Sequence, residues 1–378
     1  MKNRRQFLKG ALGASVGAFF LRRDLVGGPA APQGGPVPSK HKPVMVGGKR
    51  IKTVDVHCHV NVPGATDLLK GTPLERGAGG GGTGTGNPGL DEMRLQIMDK
   101  EGIDVEAVSI NPFWYGADRD LAARLMEFQN QKLLEMVKAA PAGRFVAFGN
   151  VALQFPDLAA KQLEDAMKMG LKGAAIGGHV MGEEISLPKY DPFWAKAEEL
   201  QAPLFMHPQE SDVATGITNR VKGPGGLGNV IGNPLETTIF LSHMIFDGTL
   251  ERFPGLKLCC AHGGGYLPSY PDRMDHGCLQ APAGCKGMTL KKKPTEYLQQ
   301  VYVDTMVFTP RALNYLAQVM STSHIMLGTD YPYPWMEAGV GTLGPVDHLF
   351  ATPGFSEADQ VAILGGNACK WLGIPMAT

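Results

Sequence analysis

The chain is 378 residues long, 43% apolar, and carries 36 basic against 36 acidic side chains. That length suits one large α/β barrel or two smaller domains, and either can bury a substantial core. The balanced charge offers no footprint for nucleic acid or for an acidic surface as partner.

The amino terminus reads as a targeting segment. Lys2-Asn3-Arg4-Arg5-Gln6-Phe7-Leu8-Lys9 precedes a run of small and apolar residues from Gly10 to Leu21 that is too brief for a membrane span. This resembles a bacterial twin-arginine signal, although Asn3 stands where Ser or Thr is more usual. Cleavage near Gly28-Pro29-Ala30-Ala31 fits the small-residue rule, which makes residues 1–31 a signal peptide and the periplasm the expected destination. Residues 32–50, rich in Pro, Gly and Lys, read as a linker, with order beginning at Ile51.

From there a barrel-like domain is expected over residues 51–378. Its first strand, Thr53-Val-Asp-Val-His57-Cys-His59-Val60, places two imidazoles on one face, because side chains at i and i+2 project together. A glycine-rich insertion follows over 63–90. It lacks the Gly-Lys-Ser/Thr ending of a phosphate-binding loop and reads as a mobile flap. Beyond it, helical and extended patterns alternate. Helices are expected over 91–101, 121–139, from Pro156 onward, and over 193–200, 235–253, 310–320 and 358–372. Strands are expected over 105–110, 145–150, 171–177, 203–207, 256–262, 301–304 and 325–328. Eight short apolar strands alternating with amphipathic helices predict a (β/α)8 TIM-like barrel, with an open doubly wound sheet as the alternative. The six cysteines form no Cys-x-x-Cys pair; Cys278 and Cys285 flank one loop and could be bridged in an oxidising compartment, with two thiols as the favoured reading.

Polar residues cluster at the carboxyl ends of these strands. His57 and His59 close the first, His207 the fifth and His262 the sixth, while Asp330 follows the eighth. In a barrel those ends form one rim, so five residues distant in sequence converge on one pocket. Three imidazoles and a carboxylate suit a single divalent ion that keeps a position for water: zinc first, manganese or iron as alternatives. Asp55 is placed to orient its strand. His179, after the fourth strand, shares the rim and is left between ligand and packing group, whereas His243 and His276 are read as structural.

On these residues the chain resembles the amidohydrolase superfamily, in the branch of aminocarboxymuconate semialdehyde decarboxylase and related carboxylate-removing enzymes. The resemblance runs from about Lys52 to Asn367-Ala-Cys-Lys-Trp-Leu-Gly373. It is densest in Gly232-Asn-Pro-Leu-Glu236-Thr-Thr-Ile239, in Ala261-His262-Gly-Gly-Gly265 and in Gly328-Thr-Asp330-Tyr-Pro-Tyr-Pro334. It implies that His57, His59, His207 and Asp330 are the metal ligands and His262 the acid–base histidine. It further implies a homodimer in which Arg273 reaches a substrate carboxylate across the interface, and a pocket role for Tyr333. Two departures point to a different substrate. A family arginine after the first strand falls in the glycine-rich insertion, where Arg76 is the available cation, and Asn229 stands where the family has a pocket aromatic. The implied activity is metal-dependent, non-oxidative decarboxylation of an unsaturated or aromatic acid. Hydrolysis of a lactone, amide or ester by the same groups is the rival, and an exported metal- or ligand-binding protein is the non-enzymatic alternative.

Overall fold

The computed structural model describes residues 41–75, 89–111, 113–209, 220–221, 223–283, 285, 290–336 and 343–377. Strand β1 (Val54–His59) is buried along its whole length, as a parallel strand covered on both faces must be. Its two residue sets divide the work. Val54, Val56 and Cys58 alternate with Asp55, His57 and His59, and the ring of His57 lies tilted against Phe205 with centroids 5.1 Å apart.

Seven further strands complete the cycle: β2 (Val105–Ser109), β3 (Phe145–Ala147, resuming at Gly149–Asn150), β4 (Ala174–Ile176), β5 (Pro203–Met206), β6 (Lys257–Cys260), β7 (Val301–Asp304) and β8 (Ile325–Met326). Each pairs in parallel with the next, with Met206 opposite both Ile176 and Cys260. The ends also meet. Val56 N–H donates to Leu327 O at 2.9 Å and Asp330 N–H to His57 O at 2.7 Å, which closes β8 onto β1. The expected barrel is therefore the observed one, and the open sheet is excluded.

Helices cover the strands: α1 (Glu92–Glu101), α2 (Arg119–Ala139), α3 (Pro156–Met169), α4 (Asp191–Glu199), α5 (Asn233–Phe246), α6 (Asp272–Gln280) and α7 (Pro310–Met320). Asp91, Asp118 and Thr309 cap α1, α2 and α7 by accepting backbone N–H bonds, each contributing about 1 kcal/mol. The core is continuous from strands to helices. Phe148 packs between Phe205 and Trp371, and each such fully buried side chain stabilises the fold by roughly 1.5–3 kcal/mol. Among the described residues no helix is long and apolar enough to cross a membrane.

Four expectations are corrected. Order begins before Ile51: residues 45–46 and 49–50 pair as a hairpin, Val44 and Val46 are buried, and Arg50 binds Asp104 at the amino-terminal side of β2. The helix expected over 235–253 ends at Phe246, because Gly248 takes φ 75° and a new turn begins at Thr249. The closing helix carries a π-turn over Ala362–Gly366, where a Cβ on Gly365 would lie 2.1 Å from Lys52 O. Cys278 and Cys285 are joined by a disulfide rather than left as thiols, while the other four cysteines are buried and free. Residues 1–40, which hold the expected signal peptide, and the glycine run with Arg76 lie outside the described residues.

Candidate active site

The carboxyl ends of the strands bring the five expected residues together. His57, His207, His262 and Asp330 offer ligand atoms that all lie within 4.8 Å of one another. His59 completes the group. Its Nε2 lies 3.0 Å from Asp330 Oδ1, His57 Nε2 lies 3.1 Å from the same oxygen, and the His59 and His207 rings are 4.6 Å apart. His57, His59, His207 and Asp330 are buried, whereas His262 keeps 12% of its side chain exposed and has Nε2 3.8 Å from Asp330 Oδ2.

Each candidate ligand ring is fixed by its other nitrogen. His57 Nδ1 lies 2.6 Å from Asp304 Oδ2, His59 Nδ1 is 3.2 Å from Ser109 Oγ, and His207 Nδ1 is 2.8 Å from Pro208 O. Holding Nδ1 to an acceptor puts the proton there and leaves Nε2 free for a metal. Asn111 touches the same His207 nitrogen with its amide at 2.9 Å, while its Oδ1 has no partner. Exchanging the amide O and N would let Asn111 accept from His207 Nδ1–H, which the ligand tautomer requires.

The electrostatics call for a cation. Burial raises the Asp330 carboxyl, but the neighbouring His57 and the close imidazoles of His262 and His59 outweigh it and hold the group well below the usual carboxylate range. Burial alone would lower His57, yet Asp330 and Asp304 drive it up to about 10. Burial and the adjacent imidazoles push His207 well down. Two buried carboxylates thus compete for positive charge at one point. His57 Nε2 has no directed hydrogen bond despite its 3.1 Å approach to Asp330, an arrangement that a shared divalent ion satisfies and a proton does not. The residues fit one such ion.

Local backbone geometry serves the same end. His262 (φ 58°, ψ 44°) and Gly263 (φ 61°, ψ 24°) are consecutive left-handed residues, and Asp330 is a third site residue with positive φ, at 60°. Non-glycine residues seldom adopt this conformation, and it concentrates where structure over-determines it. Beneath the rim, Asp55 accepts from Thr329 Oγ1 at 2.5 Å and from His57 N–H at 2.9 Å, as its expected orienting role requires. A buried Arg94–Glu106 pair supports β1 from below, with Arg94 Nη1 donating to His59 O at 2.7 Å.

Other expected residues stand apart from this cluster. Tyr333 is close, its ring 6.1 Å from His59 and its N–H bonded to Asp330 O. Arg273 is exposed on α6 beside Tyr270, outside the cluster of this chain. His179 accepts from Gly182 N–H and approaches Glu236 at 3.7 Å, apart from the group of His57, His207, His262 and Asp330. His243 is half-exposed on α5 and paired with Asp247. The residues that sequence reasoning missed are Asp304, Ser109, Asn111 and the Arg94–Glu106 pair. Asp304 carried the usable signal, a polar residue ending a strand.

Gly328 shows how tightly this is assembled. A Cβ there would fall 2.8 Å from Asp304 Cβ and 3.0 Å from His57 Cβ. Gly328→Ala is therefore expected to destabilise the chain by about 1–3 kcal/mol and to weaken metal retention, readable by thermal unfolding with and without added ion. An unchanged melting temperature and metal content would show that the packing here is looser than described.

The chain is 31% identical to a 2-amino-3-carboxymuconate-6-semialdehyde decarboxylase of Dictyostelium discoideum, covering 75% of this chain and 76% of that protein. It is 25% identical to a gamma-resorcylate decarboxylase of Rhodococcus jostii, covering 74% and 86%. Its fold matches the 5-carboxyvanillate decarboxylase of Novosphingobium aromaticivorans, solved with manganese and 4-hydroxy-3-methoxy-5-nitrobenzoic acid, at a TM-score of 0.74 and 23% identity, covering 86% of this chain and 96% of that one. Residues 54–374 match the amidohydrolase family from the first barrel strand to the last helix, and the chain belongs to that family.

Proposed function

We propose that the chain is a metal-dependent, non-oxidative carboxy-lyase acting on an unsaturated or aromatic carboxylic acid. The observation that carries this reading is the set of His57, His59, His207 and Asp330 with the more exposed His262 beside it, in a chain whose matched relatives are decarboxylases. A divalent ion held by the four ligands would supply positive charge that draws electrons from the acid.

The protein's own groups do the rest. His262 in its protonated form delivers a proton from Nε2 to the carbon that carries the carboxylate. The bond from that carbon to the carboxylate then breaks, its electron pair remains on the carbon skeleton, and carbon dioxide leaves. The neutral imidazole recovers its proton from water. The closed barrel interior below the rim, lined by Phe205 and the buried imidazoles, keeps solvent from the ligand side. Tyr333, beside His59, forms one wall of the substrate pocket. Arg273, exposed on α6, meets a substrate carboxylate in the neighbouring copy of a homodimer.

The ion is taken to be zinc, because three imidazole nitrogens and one carboxylate form a favourable donor set for it. Export by the twin-arginine route to the periplasm is part of the same proposal. It is supported by Arg4-Arg5 and the apolar run, and by a disulfide between Cys278 and Cys285, which suits an oxidising compartment.

The test is an assay of purified, metal-loaded protein on a panel of phenolic and dienoic acids alongside lactones, amides and esters, with elemental analysis of the metal. Release of carbon dioxide matched by loss of one carboxylate is the expected result. Ring opening or ester cleavage without carbon dioxide would replace the proposal with hydrolysis.

A further inference from the structure

We propose that Asp304 is a positioning residue for this reaction, whose single carboxylate sets both the ring of His57 and the turn that carries His262. This goes beyond the ligand set and the proton donor, and it rests on the reading of His57 and His262 given above. Asp304 ends β7 and is fully buried. Its Oδ2 meets His57 Nδ1 at 2.6 Å and accepts from His262 N–H at 3.0 Å. Its Oδ1 accepts from Gly263 N–H at 2.7 Å and Met306 N–H at 3.0 Å. Both oxygens are therefore fully engaged with the protein.

Two consequences follow from four bonds converging on one anion. At His57 the acceptor beside Nδ1 keeps the proton on that nitrogen, so that Nε2 presents a lone pair towards Asp330. At His262 the two successive N–H groups of His262 and Gly263 turn towards the carboxylate only because both residues are left-handed. The charge thus offsets the cost of a conformation that side chains disfavour. One residue joins the metal-holding side of the site to its proton-delivering side. Gly328 leaves the space Asp304 needs, since any Cβ there would press on it.

The informative variant is Asp304→Asn. Its amide oxygen is best placed opposite Gly263 and Met306, where two N–H groups need it. The amide NH2 then faces His57 Nδ1 and donates to it, which moves the ring proton to Nε2, the atom meant for the ion. Its second donor opposes the N–H of His262 and loosens that turn.

Zinc affinity measured by chelator competition is expected to fall about 10- to 100-fold. At saturating zinc, kcat is expected to remain about 10²-fold low with KM little changed, because His262 is displaced. Nitrogen-15 spectra of histidine-labelled, zinc-loaded wild-type protein should show His57 protonated at Nδ1. A merely structural role would lower the melting temperature without these effects. Wild-type zinc affinity in the variant, full recovery of kcat at saturating zinc, or an unprotonated Nδ1 in the wild type would each overturn the proposal. The wild-type spectrum decides even if the variant does not fold. The affinity and the spectrum need no substrate, so they are unaffected should the chain prove inactive on every acid tried.

Discussion

An Asp330→Asn variant is expected to bind its divalent ion about 10²- to 10⁴-fold more weakly than the parent chain and to lose turnover with it. Among the four proposed ligands Asp330 supplies the one negative charge, and its Oδ1 lies 3.1 and 3.0 Å from the Nε2 atoms of His57 and His59. Removing one member of a buried charged set costs about 3–5 kcal/mol, which corresponds to that loss of affinity. Elemental analysis after dialysis, with chelator competition, measures it. The same electrostatics set a pH dependence. Without the ion, Asp330 and Asp304 raise His57 to about 10, so metal binding must displace a proton from that ring. Affinity should therefore climb with pH, by about tenfold per unit below that value, and flatten above it. A variant that keeps its metal, or a parent chain whose affinity ignores pH, would mean that Asp330 lies outside the coordination sphere.

The barrel was legible because its signals are local. Short apolar strands ending in a polar residue, each followed by a helical pattern, locate all eight strands, and the same endings locate His57, His59, His207, His262 and Asp330. The contacts that orient them were harder to read. Asp304 ends β7 as His207 follows β5, but in the sequence it marks only a strand boundary, since its role depends on a backbone turn forty residues away. Ser109 ends β2 and Asn111 lies just past it, and both are meaningful only once that strand is paired with β1 and the chain has brought up His207. Arg94 sits on a weakly amphipathic helix as an ordinary surface arginine would, and only the structure shows it buried against Glu106. The break at Gly248 is a local left-handed glycine turn, whereas the π-turn at Gly365 depends on the close approach of the Lys52 backbone, and hydrophobic periodicity records neither.

The role of His262 is open to a sharper test than removal of its ring alone. Five donors crowd the rim, and by distance His262 competes with His59 for a place around the ion, so an inactive variant could be read as a lost ligand. Asparagine resolves this. It tolerates positive φ better than most residues, so His262→Asn keeps the left-handed turn and leaves the backbone bonds to Asp304 in place. Alanine would disturb both at once. If His262 delivers the proton, His262→Asn retains its full complement of metal while kcat falls about 10²- to 10⁴-fold, the range expected for losing a general acid. Added imidazole should restore part of the rate, because the ring is partly exposed and its removal leaves a path from solvent. If His262 is a ligand, metal content falls in step with activity and imidazole restores both together. Measuring metal and rate on the same sample separates the two, and retention of metal without turnover fixes the ligand set as His57, His59, His207 and Asp330.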